Sequence, residues 1–600
     1  MGTTQNARTW WPLLEPSGAG RPRPGRTRST RLLVRGPVSP IDPLTGPRLA
    51  LAGRVVTMDA RDSVRSDAVV YVEKGCIVDV RERGQSAPDG FETTAVLQTG
   101  GTIFPGLIEL HNHLSYNALP LWAPVPKAFD NRDQWADYRD YRRLVSGPMA
   151  VIGKTPQLLP ALVRYVECKC LLAGVTTSQG IRLSSNSGVS RYYRGIVRNV
   201  EQTREAALPE AQTRIQDVDA RDARAFKQEL VLSQGRRCYL LHLSEGLTQP
   251  SQPDSPARRH FLALEVAPND WALTDALAGI HAAGLLPADF DRLAEKASSI
   301  VWSPLSNLLL YGQTARVEAA RRAGVKIGLG GDWSPSGSKN LLAELKVAWL
   351  YSQRFLDGVF SARDLVAMAT RTAAQILKWD AVLGSVEAGK RADLLVVDGA
   401  AGDPHDSLVR ARETSVRLVV INGVPRYGTR ELMDPLGGGD QTVRVGGETR
   451  RLFLGQETVP GEVAGLPLAT ARSVLSGAFR DIQKLARELE SRPDTRPARR
   501  GAVPVDAPEP VVWSLALDET RDTGVELRPR LPYSGPRDFT GPEAFSRRAA
   551  RAAASAKLSE ILRPIALDPL TVVDDGDFLD QIAGQPNVPE AVRDGLREFY

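Results

Sequence analysis

Residues 102–113 read TIFPGLIELHNH, and residues 325–332 read VKIGLGGD. Each is an apolar run of strand length ending at side chains able to bind a metal, His111 and His113 in the first and Asp332 in the second. Six more such runs lie between them: GVTTSQ (174–179), RGIVRNV (194–200), TRIQDV (213–218), RCYLLHL (237–243), ALAGIH (276–281) and SSIVWSP (298–304). Helix-length amphipathic segments alternate with these runs, among them 155–174, 289–297, 314–324, 340–355 and 362–377. Strands alternating with helices predict repeated βα units around a parallel sheet. Eight such runs predict a TIM-like (β/α)8 barrel over residues 102–380.

The chain has six histidines. His111 and His113 end one run, His242 another and His281 a third, whereas His260 and His405 are expected in loops. Residues two apart on a strand face the same way, so the imidazoles of HNH can grip one ion, as neutral imidazoles hold zinc at about 2.0–2.1 Å. A lone H-x-H is more often a pair of core or surface histidines. Position raises its weight here, because parallel barrels gather their active sites at the C-terminal strand ends, where all four histidines and Asp332 fall.

FPGLIELHNHL, LLHLSEG, GIHAAG, SPLSNLLLYG, GLGGDWSPSGS and ATRTAAQIL with LGSVEAGKRADLLVVD follow one another in the chain. This series resembles the motifs of the amidohydrolase superfamily, in particular its aminohydrolase and triazine hydrolase branch, over residues 48–430. The resemblance implies a metal-dependent hydrolase with a barrel and a small composite β domain. It implies metal ligands His111, His113, His242 and Asp332, with His281 contacting the attacking water or the substrate. Glu245, three residues after His242, matches the H-x-x-E of the deaminase-like members; alone in a loop it would read as a solvated carboxylate, and beside a ligand strand it reads as catalytic. Binuclear members carry a carboxylated lysine on the fourth strand. TRIQDV has none, so one divalent metal is expected, zinc ahead of iron or manganese, with Lys169 or Lys227 as alternatives if the strand assignment is shifted.

These residues imply a metal-bound hydroxide attacking a non-peptide C–N bond, since a bound cation lowers the pKa of water from 15.7 towards about 7. Asp332 would orient the water and take its proton, Glu245 would pass a proton to the leaving nitrogen, and His281 would stabilise developing charge. Deaminase-like release of ammonia from a small aromatic or cyclic substrate is the first expectation. Hydrolysis of a cyclic or linear amide is the second. A non-catalytic barrel serving as a binding or assembly module is the alternative from another class.

Outside the barrel, short β-branched runs at 46–101 and 381–430 predict one composite β-sandwich domain built from both flanks. A head over 1–45, rich in Pro, Gly and arginines Arg21, Arg23, Arg26, Arg28, Arg31 and Arg35, is expected to be disordered. Residues 431–600 form a mostly helical C-terminal extension, with a helix over TARSVLSGAFRDIQKLARELES (470–491) and a Pro/Arg linker after it. No chemistry motif is recognisable there.

Composition limits the function classes. With 42% hydrophobic and 24% charged residues, a mean hydropathy of −0.22 and no apolar stretch of about 20 residues, no membrane span is expected. A net charge of +6 over 600 residues is too dilute for nucleic-acid binding. Four cysteines are too few for a disulfide framework, and Cys168 and Cys170 point apart on a predicted helix. The opening MGTTQNARTWWPLLEP lacks the features of a secretory signal, so a cytoplasmic location is expected; a homo-oligomer is left open. There is no Walker spacing and no G-x-S-x-G.

Residues 116–148 interleave Tyr116, Trp122, Phe129, Trp135, Tyr138 and Tyr141 with Arg132, Arg139, Arg142 and Arg143. This segment reads equally as a lid and substrate wall for a flat ligand or as a packed excursion with its arginines in water. Ser303, Asn307 and Lys339 are placed near the same mouth, Lys339 either facing a substrate carboxylate or decorating a helix start.

Overall fold

The computed structural model describes residues 44–600 except 136–137, 181–191, 194–195, 216, 400, 457–460 and 492–556. The arginines of the head, the linker beyond Ser491 and part of the RGIVRNV run lie outside the described residues.

The stretch TIFPGLIELHNH, expected as one strand, serves two sheets. Its first half ends the fourth strand of a series β1 (Leu49–Val56), β2 (Val64–Glu73), β3 (Cys76–Glu82) and β4 (Val96–Pro105). Its second half is a separate strand, β5 (Leu107–Glu109). The break falls at Gly106, where a Cβ would lie 2.3 Å from the Thr176 side chain, so only glycine lets the chain cross between sheets here. An unbroken apolar pattern hid this change of partner.

β5 pairs in parallel with β6 (Val175–Ser178), and β6 with β7 (Arg198–Asn199). A second parallel sheet contains β8 (Gln212–Arg214), β9 (Tyr239–Leu243), β12 (Leu277–His281), β13 (Ser299–Trp302) and β14 (Lys326–Leu329), adjacent in that order. A small hairpin of β10 (Glu265–Ala267) and β11 (Asp270–Trp271) intervenes in sequence. Backbone bonds join the two sheets at both edges: Ala211 N donates to Val200 O at 2.8 Å, and Leu110 N to Leu329 O at 3.2 Å. The second seam continues through a parallel bridge between Asn112 and Asp332. Each of the eight expected runs thus supplies one parallel strand.

After the parallel set come β15 (Leu394–Val397), β16 (Val416–Ile421), β17 (Val424–Gly428), β18 (Gln441–Val445) and β19 (Glu448–Leu452). They complete a nine-stranded sheet in the order β18-β19-β17-β16-β15-β4-β1-β2-β3, in which β4 lies antiparallel to β15 and parallel to β1. The two flanks therefore share one sheet, and its last two strands come from beyond residue 430.

The helices that position the site are α1 (Leu159–Leu172), α2 (Ala223–Ser233), α3 (Pro256–Leu262), α4 (Pro304–Tyr311), α5 (Leu341–Phe355) and α6 (Pro404–Arg410). His260 and His405, expected in loops, lie on α3 and α6. α1 was expected to bury one face, yet all its residues are buried, including Arg164, Glu167 and Lys169. The cause is the C-terminal extension. Helix α7 (Leu468–Arg480) packs on α1, and Arg164 donates to Val463 O at 2.5 Å. The long helix expected over 470–491 divides after Arg480 into α7 and α8 (Ile482–Glu490).

The end of the chain, with α9 (Phe578–Ala583) and α10 (Glu590–Phe599), packs apolar side chains including Val572, Phe578, Ile582 and Val592 on Leu305, Leu308 and Leu309 of α4. Burying several such side chains at about 1.5–3 kcal/mol each holds the segment firmly on the helix that follows β13. No helix among the described residues is long and apolar enough to cross a membrane.

Candidate active site

Four imidazoles and two carboxylates converge where the parallel strands end. His111 and His113 follow β5, His242 lies in β9, His281 closes β12, and Asp332 follows β14. The ring of His111 is central, with centroids 5.1, 4.7 and 4.9 Å from those of His113, His242 and His281. All six site residues, Glu245 included, are buried. Ser244, His281 and Asp332 adopt positive φ angles of 50°, 67° and 66°, a conformation that non-glycine residues hold only when their surroundings enforce it. The strain lies at the strand ends where these groups converge.

Two groups of potential ligand atoms each lie within 4.8 Å of one another: His111, His242 and His281, and His111, His113 and Asp332. Asp332 Oδ1 is 3.0 Å from His111 Nε2 and 3.5 Å from His113 Nε2. Both ring nitrogens of His111 are buried without a hydrogen-bond partner. Burial pushes His113 down to about 3 and holds His242 and His281 well below the usual histidine range, so these rings are neutral and offer lone pairs. Burial alone would raise the Asp332 pKa, but the neighbouring imidazoles outweigh it and keep the group a carboxylate. Neutral imidazoles, a buried carboxylate and an unsatisfied His111 fit a divalent cation.

Hydrogen bonds define what each ring nitrogen can do. His242 Nδ1 faces Arg214 O at 3.4 Å, an acceptor, which leaves Nε2 as the ligating atom. The state of His281 follows from a chain of donors. Trp302 Nε1 can only donate, and it donates to Thr314 Oγ1 at 2.8 Å; the threonine proton therefore goes to Asn307 Oδ1 at 3.2 Å. Asn307 Nδ2 then faces His281 Nδ1 at 3.0 Å as a donor, so the His281 proton resides on Nε2, which lies 3.7 Å from Glu245 Oε2. A protonated Nε2 is a hydrogen-bond donor and a poor ligand.

Glu245 is held in the same manner. Trp135 Nε1 donates to the Tyr311 hydroxyl at 3.0 Å, which in turn donates to Glu245 Oε1 at 2.7 Å. Oε2 is buried without a hydrogen-bond partner, with Arg132 Nη1 at 3.9 Å. Burial raises the Glu245 pKa to about 7, against the opposing pull of Arg132. Asp332 Oδ2 accepts from Ser306 Oγ at 2.6 Å.

Ser306, Tyr311 and Arg132 were thus missed as supporting residues. Ser306 and Tyr311 lie in the quoted SPLSNLLLYG, on α4. Arg132 reads from the sequence together with Arg139, Arg142 and Arg143, either as part of a lid or as an arginine in water. It is buried, donates to Ile215 O at 2.7 Å and pairs with Asp217 at 2.5 Å, whereas Arg143 pairs with Asp140 at the surface. Of the segment's aromatic residues, Tyr116, Trp122, Phe129, Trp135 and Tyr141 are buried in the core. The packed reading therefore describes them, although Trp333 carries this layer to within 5.4 Å of His113, centroid to centroid.

Lys339 does not face an open mouth: it is buried between Asp568 at 2.5 Å and Asp575 at 2.7 Å, and Asn340 caps α5. Lys169 and Lys227 lie on α1 and α2, so neither occupies a parallel strand.

Residues 260–426 match the amidohydrolase family. A 5-methylthioadenosine/S-adenosylhomocysteine deaminase of Halobacterium salinarum is 28% identical over 377 residues, 57% of this chain and 82% of that protein. The protein of the same name from Symbiobacterium thermophilum is 37% identical over 124 residues, 20% of this chain and 27% of that protein. The chain spans 27%, 37% and 45% of the lengths of the first three curated relatives it matches. Among solved structures, a triazine hydrolase variant aligns with a TM-score of 0.51 at 18% identity, covering 72% of this chain and 99% of that one. A mutant of atrazine chlorohydrolase TrzN from Arthrobacter aurescens TC1, complexed with zinc and atraton, aligns at 0.50 with 20% identity over 63% and 94%. The match over residues 260–426 and the longer likeness to the Halobacterium salinarum protein support the amidohydrolase superfamily.

Proposed function

We propose that the protein is a metal-dependent hydrolase that releases ammonia or an amine from a small ring-bearing substrate, with deamination as its reaction. The observation that carries this reading is the pairing of the histidine and Asp332 cluster with Glu245, a buried carboxyl of pKa about 7. The eight parallel strands are taken as a (β/α)8 barrel over 102–380, flanked by a composite β domain from 46–101 and 381–430 whose sheet runs on through β18 and β19 into the extension from 431. The names of the curated relatives make aminopurine nucleosides the first substrates to test.

His111, His113, His242 and Asp332 would hold one divalent cation, with zinc ahead of iron and manganese; zinc accompanies the aligned atrazine chlorohydrolase. Such a cation supplies Lewis acidity and lowers the pKa of water from 15.7 to about 7. Asp332, fixed by Ser306, is oriented to accept a proton from the nucleophile. Glu245 titrates near neutrality, so it can give a proton to the substrate and take it back within one cycle. His281, with its proton on Nε2, is a donor to negative charge developing on the oxygen that adds to the carbon under attack. Four free cysteines accord with a cytoplasmic enzyme.

The test combines metal analysis of protein purified without chelator with ammonia release from aminopurine nucleosides, triazines and pterins. About one ion per chain and ammonia release, both lost in His111→Ala, with activity alone lost in Glu245→Gln, is the expected result. A metal-replete protein that cleaves only amides would overturn deamination, and one that takes up no zinc, iron or manganese would overturn the metal centre.

A further inference from the structure

The C-terminal extension carries no motif, yet it places one carboxylate beside the ligand turn. Asp568 is buried, its amide donates to Ala118 O at 3.0 Å, and its backbone carbonyl accepts from the Tyr165 hydroxyl. One side-chain oxygen pairs with Lys169 of α1 and the other with Lys339, which follows Asp332 in the chain. Both lysines are as deeply buried as Asp568.

The contacts of Lys169 lead to the candidate metal ligands. An ammonium has three protons, and those of Lys169 go to Asp568, to Asn117 O at 2.9 Å and to Ser334 Oγ at 2.7 Å. Ser334 N donates to Asn117 Oδ1 at 2.9 Å, and Asn117 Nδ2 donates to Asn112 Oδ1 at 2.9 Å. Asn112 is the central residue of HNH and bridges to Asp332. Every bond in this path is buried, and it runs without a gap from the end of the chain to the residue between His111 and His113.

We propose that Asp568 is a positioning residue for the metal-ligand turn: by neutralising Lys169 and Lys339 it keeps Lys169 bonded to Asn117 and Ser334, which fix Asn112 and with it the spacing of His111, His113 and Asp332. This rests on the metal-site reading above. Without the carboxylate Lys169 is a buried ammonium with no carboxylate partner, beside a Lys339 that keeps only Asp575, and Lys169 must turn towards water and release Asn117. Asp575 reaches Lys339 alone, so it cannot substitute at Lys169. The extension is thereby part of the active-site framework.

The experiment uses the full-length protein loaded with zinc and measures the zinc dissociation constant by chelator competition, with the melting temperature alongside. Asp568→Asn is expected to weaken zinc binding about 10- to 100-fold, the usual effect of losing a partner that orients ligands, and Asp568→Glu to restore part of it. Ser334→Ala removes one bond of the path without disturbing an ion pair. It keeps the test decisive if Asp568→Asn does not fold, and is expected to weaken zinc binding several-fold. Arg593→Ala, which removes a bond from Arg593 to Ala583 O within the extension, should lower the melting temperature and leave zinc affinity unchanged. Zinc affinity within twofold of the parent in Asp568→Asn, or in Ser334→Ala where the former does not fold, refutes the role of Asp568 alone; a parent protein that binds no zinc refutes the metal site as well.

Discussion

Tyr311→Phe removes one oxygen atom, and the structure states what depends on it. The hydroxyl donates to Glu245 Oε1 at 2.7 Å and accepts from Trp135 Nε1 at 3.0 Å. A hydrogen bond to a charged, buried group is worth about 1.5–3 kcal/mol. If it acts fully on the transition state, its loss lowers kcat about 10- to 150-fold. The same bond lowers the Glu245 pKa, which burial has raised to about 7, so losing it moves that pKa up by about 1–2 units at 1.36 kcal/mol per unit. The pH dependence of kcat/KM for the best substrate of the ammonia-release panel should show its inflection displaced upwards by that amount. Trp135 Nε1 is left unpaired, and stability should fall by about 1–3 kcal/mol in urea titration. An unchanged pH profile together with unchanged kcat would falsify the assignment of Glu245 as the proton carrier, whatever happens to stability.

Lys346 on α5 is buried beneath the rings of Phe599 and Tyr600, and burial lowers its pKa to about 7. Because this lies below the unfolded value, the unfolded chain binds the extra proton between about pH 7 and 10.5, and stability rises with pH across that window. Lys346→Met should flatten this slope and add about 1–4 kcal/mol at pH 7 in denaturant titrations; a steeper slope would contradict the shift. Gly330→Ala would place a Cβ 2.5 Å from His111 N, so it should cost about 1–3 kcal/mol and reduce the zinc retained on purification. Arg198 on β7 pairs with Asp393 and donates to Asn422 Oδ1 at 2.5 Å, tying the first parallel sheet to the nine-stranded one. Arg198→Met leaves the buried Asp393 with only the Asn422 amide and no counter-charge, and should destabilise by about 3–5 kcal/mol; a loss below 1 kcal/mol in the same titrations would show that water rescues the carboxylate.

The site was legible where chemistry and strand ends coincide. His111, His113, His242, His281 and Asp332 stand out because an ionisable side chain closing an apolar run is an uncommon pattern, Glu245 is read from its H-x-x-E spacing, and the structure brings all six together. Support for these residues was harder to read. Ser306 and Tyr311 lay in a quoted motif, but which of their neighbours they serve depends on the rotation of α4. Arg132 differs in no local way from Arg142 or Arg143; only its partners Asp217 and Ile215 O make it an interior residue. The all-round burial of α1 was hidden because Arg164, Glu167 and Lys169 mark a solvent face unless a distant segment satisfies them. That segment, at Val463 and Asp568, announces itself by no motif, since a lone aspartate in a tail has no signature. The divided TIFPGLIE shows the same limit: periodicity reports that a residue is buried and does not report against which sheet.

The shared nine-stranded sheet has a consequence during synthesis. β4 leaves the ribosome with β1 on one side, and its other edge stays open until β15 has been made, roughly 290 residues later. At about 5–20 residues per second that interval lasts about 15–60 s. Through it a strand that ends in Ile103 and Phe104 presents unpaired amides and carbonyls beside apolar side chains, a template for another chain. The nascent protein is therefore most exposed to mispairing while its parallel strands are being made, and conditions that slow elongation should lower soluble yield before they change the specific activity of what folds.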